Sequence, residues 1–294
     1  PSRPMVGEVL WMNGMNILVT LNAGYLPQLE VMLFSLLRQQ RGRPVTVYVA
    51  NSSLTQEQLD QVSRKLACPH CTLVDTKAPA HLFEGAPITS RYPKEMYYRI
   101  FAGQLLPRQV ERILYLDPDL VVINPLDELW ELEMGENLFA AATHIQEPLR
   151  TFNEFRLGSK TSGPYINSGV MLMNLPQMRR HVKEEEVFAY IDKYKNLLML
   201  PDQDVISALY GEKIVDIDAY RYNLSERMYT LSRIKGEEEG RLTLDWVREN
   251  AAIIHYCGRN KPWKENYMGS LNRFYHECKG ALDSWGQQWE PLEG

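Results

Sequence analysis

The sequence predicts an α/β fold with a Rossmann-like, mostly parallel central sheet flanked by helices and a smaller C-terminal extension. Three observations predict it. Short apolar runs alternate with stretches of helical period along most of the 294 residues. Runs such as "NILVTL" (16–21) are apolar throughout rather than at every second position, the pattern of strands covered on both faces. With 45% hydrophobic and 23% charged residues, the chain has ordinary globular chemistry and enough length for one large core.

Each element follows from local signals. "NILVTL" is the first strand and "NAGY" its turn; the helix over 26–40 carries Pro27 near its first turn, where a missing N–H costs little. "PVTVYVA" (44–50) is a strand, and the helix over 54–66 has Thr55 as its N-cap. "CTLVDT" is the third strand. Loop signals then precede a helix over 94–105, and "RILYLD" is the next strand. Further strands are expected at 139–144, 169–175, 212–217 and 251–256, with helices at 176–195, 202–210 and 243–249 between them. Residues 145–164 lack periodicity and read as a mobile loop that could close over a bound ligand. The chain divides into a leader or processed segment (1–14), a main domain (15–264) and a helical, aromatic extension (265–294). Packing of that extension on the domain or on a second copy makes a homo-oligomer one expectation.

Bulk properties exclude several classes. A net charge of −5 argues against a nucleic-acid partner, which would normally meet a basic stripe. No apolar run approaches the roughly 20 residues of a spanning helix, and the first residues lack a signal peptide's apolar region. The expectation is a cytoplasmic chain without a transmembrane segment, with peripheral contact at the inner membrane face as a variant. "CPHC" (68–71) has the spacing of a redox pair or half a zinc site. It follows a helix instead of opening one, so reduced structural thiols are the favoured reading. The first strand is not followed by the G-x-G-x-x-G of a dinucleotide enzyme.

The chemistry concentrates at strand ends, where open α/β sheets bind ligands. In "LYLDPDLVV", Asp117 and Asp119 form an Asp-x-Asp pair between two apolar runs. Carboxylates beside a core need a partner or a cation. Residues two apart in extended chain face the same side, so the pair could share a divalent ion, or it could cap a turn. In "IIHYCGRNKPW", His255 sits at a strand end before Gly258 and Lys261, a combination suited to a metal and a phosphate group. A nitrogen ligand favours Mn²⁺ over Mg²⁺. Asp202, Gln203 and Asp204 open a helix in "LPDQDV"; the carboxylates could serve the helix terminus, or all three could meet sugar hydroxyls. Asn167 and Ser168 in "YINSG" read as a turn or as polar groups presented to a ligand. Phosphatases that use an Asp-x-Asp pair place it after the first strand, with small polar residues next; here Leu120 and Val121 follow, deep in the chain.

In this order and spacing, "LYLDPDLVV", "YINSGVMLMNL", "LPDQDV" and "IIHYCGRNKPW" resemble the retaining nucleotide-sugar glycosyltransferases of family eight, of the bacterial galactosyl- and glucosyltransferase type. "MNILVTLNAGYLPQLEVMLFSLL" is similar to their first strand and helix, and the likeness spans about residues 15–265. The resemblance implies a GT-A fold. It also implies Asp117, Asp119 and His255 as Mn²⁺ ligands, with Mg²⁺ as the alternative ion. Thr20, Asn22 and Tyr25 would hold the uridine, Tyr25 by stacking, although many members carry Asp where Asn22 stands. Arg99 would contact the donor, Asn167 and Asp202 the donor sugar, and Gly258 and Lys261 the diphosphate. Gln203 would lie beneath the anomeric carbon, making Gln203 and Asp202 the catalytic pair. The implied reaction moves glucose or galactose from UDP-glucose or UDP-galactose to a glycan, lipid-linked saccharide or glycoprotein acceptor, as in polysaccharide biosynthesis. The competing reading is a UDP-sugar-binding protein without turnover.

Overall fold

Among the described residues, nine strands form around the apolar runs: β1 (Met15–Thr20), β2 (Val45–Ala50), β3 (Cys71–Thr76), β4 (Arg112–Leu116), β5 (Leu120–Val122), β6 (Phe139–Thr143), β7 (Ile166–Asn174), β8 (Ile214–Ile217) and β9 (Ile253–His255). The structure, a computed structural model, describes residues 14–83, 88, 94–143, 163–234, 242–286 and 289. The expected leader and the loop at 145–164 fall almost entirely outside the described residues.

Seven strands make one sheet in the order β3-β2-β1-β4-β7-β6-β8. Pairs β1–β2, β1–β4, β2–β3 and β6–β8 are parallel, whereas β7 runs antiparallel to both β4 and β6. The sheet is therefore mostly parallel, as expected, with one reversed strand in its interior. The expectation of 251–256 as a further strand beside these needs correction. Ile253–His255 pairs antiparallel with Leu120–Val122 in a separate two-stranded sheet, Leu120 opposite His255. Six short residues, fully buried, can complete a ribbon of their own without joining the main sheet.

Two long helices expected from periodicity are each broken. The stretch over 94–105 divides into Lys94–Ile100 and Ala102–Leu105, because Phe101 leaves helical geometry (φ −102°, ψ 27°) with its ring fully buried. The stretch over 176–195 divides into Leu175–His181 and Glu184–Tyr194, with Val182 extended and buried between them. Core burial outweighs helix continuity at both breaks. The helix Gln56–Leu66 starts as expected: Thr55 Oγ1 accepts from Gln58 N at 3.3 Å, and Gln58 Oε1 accepts from Thr55 N at 3.0 Å. No helix among the described residues is long and apolar enough to cross a membrane.

The C-terminal helix Asn272–Asp283 buries Phe274, Tyr275 and Leu282, together with Leu271 just before it, in the same core as β1 and the helix Leu26–Gln39. Trp285 and Trp289 meet Phe34 edge-on at 5.1 and 5.9 Å, and Trp289 Nε1 donates to Leu66 O at 2.8 Å. The aromatic tail is thus packed on the body of the molecule. Gly280 lies exposed within this helix, and a methyl group there would meet nothing within 4 Å. Gly280→Ala is expected to raise stability by about 0.5–1 kcal/mol, read as a higher urea midpoint with unchanged slope.

Cys68 and Cys71 flank the turn between the helix Gln56–Leu66 and β3, with Cys71 N donating to Cys68 O at 3.2 Å. Both are free, and burial, reinforced by Cys68, pushes the Cys71 thiol up to about 12. A thiol so suppressed is a poor nucleophile.

Candidate active site

The ribbon β5–β9 explains why an acidic pair interrupts two apolar runs. β4 ends at Leu116, Asp117 and Asp119 turn the chain, and β5 leaves at Leu120 to pair with the strand that ends in His255. Tyr256 N donates to Asp119 O at 3.0 Å, so the imidazole and the aspartates are fixed across one ladder. His255 Nε2 lies 3.2 Å from Asp119 Oδ1 and 3.7 Å from Asp117 Oδ2. One ligand atom from each of the three residues falls within 4.8 Å of the others, and among the described residues this is the one cluster of three or more His, Cys, Asp or Glu with such geometry. His255 is 2% exposed and its Nδ1 faces Asn223 Oδ1 at 2.8 Å.

Gly169, inside β7, makes this convergence possible. A Cβ there would lie 2.2 Å from His255 Cε1, 2.8 Å from Asp117 Oδ2 and 2.9 Å from His255 Nε2. Its carbonyl accepts from Asp117 N at 2.8 Å. Two carboxylates and an imidazole that crowd together around the missing side chain fit a divalent ion with mixed oxygen and nitrogen ligands.

Cations flank the cluster. Lys261 Nζ donates to Asp119 Oδ2 and, at 2.9 Å, to Tyr256 O. Arg99 reaches Asp117 Oδ1 at 3.2 Å and Asp202 Oδ2 at 2.7 Å, with its guanidinium 4.5 Å over the Tyr115 ring. Burial opposes the charge of Asp119, but His255 and Lys261 outweigh it and hold its carboxyl well below the usual range. Asp117 goes the other way: burial, with Asp119 beside it, raises its carboxyl more than Arg99 offsets. Burial would weaken the charge of Arg99, yet Asp117, Tyr115 and Asp202 keep it firmly protonated.

The structure brings the other expected residues to the same strand ends. Asn167 and Ser168 lie inside β7, not in a turn before it. Ser168 Oγ donates to Asp202 Oδ2 at 2.9 Å. Gln203 is buried, and its amide makes no hydrogen bond among the described residues. The two carboxylates at this helix start divide their roles. Asp204 accepts from Met199 N, Leu200 N and Tyr165 Oη and serves the helix entrance. Asp202 instead faces Arg99. Tyr25 packs edge-on against Trp263 at 6.4 Å, and the two line a cavity of about 470 Å³ with Gly24, Gly258, Arg259 and Lys261. Thr20 is buried with its hydroxyl 2.9 Å from Tyr115 Oη and 3.4 Å from Arg99, so it braces the charged cluster. Asn22 is exposed and caps the following turn, its Oδ1 accepting from Gly24 N at 2.9 Å.

Sequence reasoning missed Tyr115, Gly169 and Asn223. Tyr115 donates to Asp117 Oδ1 at 2.5 Å, and strand alternation could have found it, since residues 115 and 117 share a face. Asn223 carries no local signal; a bridge between Leu224 and Ile254 brings it beside His255.

Comparison with known proteins places this geometry. General stress protein A of Bacillus subtilis is 29% identical over 264 residues, covering 86% of this chain and 88% of that protein. Lipopolysaccharide 1,2-glucosyltransferase of Escherichia coli K12 is 24% identical over 253 residues, 85% and 72% of the two chains. The crystal structure of the galactosyltransferase LgtC with donor and acceptor sugar analogues has a TM-score of 0.74 at 21% identity, over 94% of this chain and 99% of that one. The fold is accordingly GT-A. Residues 16–267 match the profile of glycosyl transferase family 8, so the chain belongs to that family and is a glycosyltransferase.

Proposed function

We propose that the protein is a retaining hexosyltransferase that moves glucose or galactose from a UDP-sugar to a saccharide-type acceptor with the help of a divalent ion, Mn²⁺ before Mg²⁺. The observation that carries this reading is the meeting of Asp117, Asp119 and His255, from distant parts of the chain, between the cations Arg99 and Lys261. A nucleoside diphosphate is a poor leaving group until its charge is neutralised. The ion, when bound, supplies Lewis-acid stabilisation of the departing diphosphate. Lys261 and Gly258 serve the same phosphates, and an acidic protein thereby meets a polyanion with local cations.

The residues around the sugar favour attack on the face that the diphosphate leaves. Asp202 Oδ2 is engaged by Arg99 and Ser168, which leaves this carboxylate to orient hydroxyls, with Asn167. Gln203 offers a neutral amide, a feeble nucleophile, and acts by stabilising charge on the anomeric carbon, where the transition state is oxocarbenium-like. The acceptor oxygen then bonds to that carbon as the carbon–phosphate-oxygen bond breaks, and the acceptor proton passes to the leaving phosphate. Tyr25 stacks on the uracil at the mouth of the 470 Å³ cavity. The glucosyl- and galactosyltransferase relatives support the choice of hexose, and the acceptor is a glycan, lipid-linked saccharide or glycoprotein.

Slow hydrolysis of UDP-sugars without acceptor tests this. UDP release is expected from UDP-glucose or UDP-galactose, dependent on Mn²⁺ and suppressed by a chelator. Tight UDP binding with no release from any UDP-hexose, with or without candidate acceptors, would instead identify a binding protein without turnover.

A further inference from the structure

We propose that Asn223 is a positioning residue: it fixes which ring nitrogen of His255 faces the aspartates and which end of the Asn167 amide faces the ligand. This role rests on reading Asp117, Asp119 and His255 as metal ligands.

The orientations follow in sequence from one backbone amide. Gly169 N–H can only donate, so the Asn167 atom 3.1 Å from it is Oδ1. The same Oδ1 lies 3.0 Å from the Asn223 amide, which must therefore present Nδ2 to it. With Nδ2 so used, the Asn223 atom 2.8 Å from His255 Nδ1 is Oδ1, an acceptor, and Nδ1 must carry a proton. Nε2 is then the atom aimed at Asp119 Oδ1 and Asp117 Oδ2, and with a cation held there its lone pair is the one the ring would offer. Three electron pairs then converge where a cation would sit.

The scaffold leaves this chain little freedom. Asn223 is fully buried and Gly169 stands directly against the imidazole. Leu224 N donates to Ile253 O at 3.1 Å and His255 N donates to Leu224 O at 2.8 Å, so one ladder holds both Asn223 and its imidazole partner. At the other end, two donors occupy Asn167 Oδ1. The half-buried Asn167 can then offer a ligand only its N–H₂ group, which selects an acceptor such as a hydroxyl or phosphate oxygen. The metal ligand and the ligand-facing amide become parts of one hydrogen-bonded unit.

The test uses the full chain with Mn²⁺ alone as probe, titrated by electron paramagnetic resonance, and long-range ¹H–¹⁵N correlation to read whether His255 Nδ1 holds a fixed proton. Asn223→Leu is expected to lose the fixed Nδ1–H and to weaken Mn²⁺ binding about 10–100-fold. Asn223→Asp can still accept from Nδ1–H but cannot donate to Asn167. It is expected to keep the fixed Nδ1–H and bind Mn²⁺ close to the wild-type level, while KM for the UDP-sugar rises more than kcat falls. A folded Asn223→Leu variant with wild-type Mn²⁺ affinity and a fixed Nδ1–H overturns the role of Asn223 alone. If that variant does not fold, Asn223→Asp decides: an unchanged KM, or Mn²⁺ binding lost, overturns it. Wild-type protein that binds no Mn²⁺ overturns the metal reading itself, and this role with it.

Discussion

Asp119→Asn is expected to abolish Mn²⁺ binding and to lower sugar transfer by about 10³-fold or more. Its carboxylate joins the two halves of the site, with Oδ1 toward His255 at 3.2 Å and Oδ2 toward Lys261. An amide in its place withdraws one ligand charge and leaves the Lys261 ammonium facing a neutral group. Metal-assisted stabilisation of a leaving group supplies several kcal/mol, and each 1.36 kcal/mol or so is a factor of ten in rate. The same change carries a pH signature. The folded protein holds this carboxyl below its ordinary value of about 3.9, so it binds fewer protons there than the unfolded chain. The resulting stabilisation is present above about pH 4 and fades as pH falls toward the folded value. The deficit of the metal-free variant in urea denaturation should be full at pH 7 and shrink below pH 4. Undiminished Mn²⁺-dependent UDP release by the variant would refute the assignment of Asp119 as a ligand.

Gly169→Ala should be nearly as damaging, although it removes no functional group. The added methyl carbon would stand 2.2 Å from His255 Cε1 and 2.8 Å from Asp117 Oδ2, far inside contact distance. A long, exposed side chain could swing away cheaply. His255 cannot, because its ring is buried and bonded to Asn223, and Asp117 is held by Tyr115 and Arg99. The expected result is a loss of Mn²⁺ affinity of about 100-fold with an overpacking cost of roughly 1–3 kcal/mol. Isothermal titration with Mn²⁺ measures the first and thermal unfolding the second. An alanine variant with native metal affinity would show that the centre tolerates a shift of its imidazole, and that the glycine is a convenience of strand packing.

The parts of the molecule legible in the sequence were those set by local rules. Continuous apolar strands, the Thr55 cap and Pro27 in the first helical turn follow from short-range chemistry and stand as expected. The reversed direction of β7 was not legible, because a strand buried on both faces reads the same in either sense. Three-residue β5 has no measurable period, and its pairing with β9 joins Leu120 and His255, which lie far apart in the chain. The breaks at Phe101 and Val182 arise from tertiary burial that overrides helical propensity. For the site, Asp117, Asp119 and His255 were found because strand ends and charge spacing point to them. Asn223 and Gly169 were not: one acts through a bridge to a distant strand, and the other by the side chain it lacks. Thr20, also a polar residue at a strand end, turns its hydroxyl inward to Tyr115, a contact that strand position alone does not reveal.

The two-stranded ribbon has a consequence for biosynthesis. While translation is under way, the acidic couple emerges from the ribosome long before the segment bearing its imidazole partner, and β5 has no partner strand until then. Assembly of the Asp117–Asp119–His255 cluster is therefore a late event, timed by closure of a loop of more than a hundred residues from Leu120 to His255. A nascent or prematurely terminated polypeptide lacking Ile253–His255 carries the carboxylates without the centre they serve.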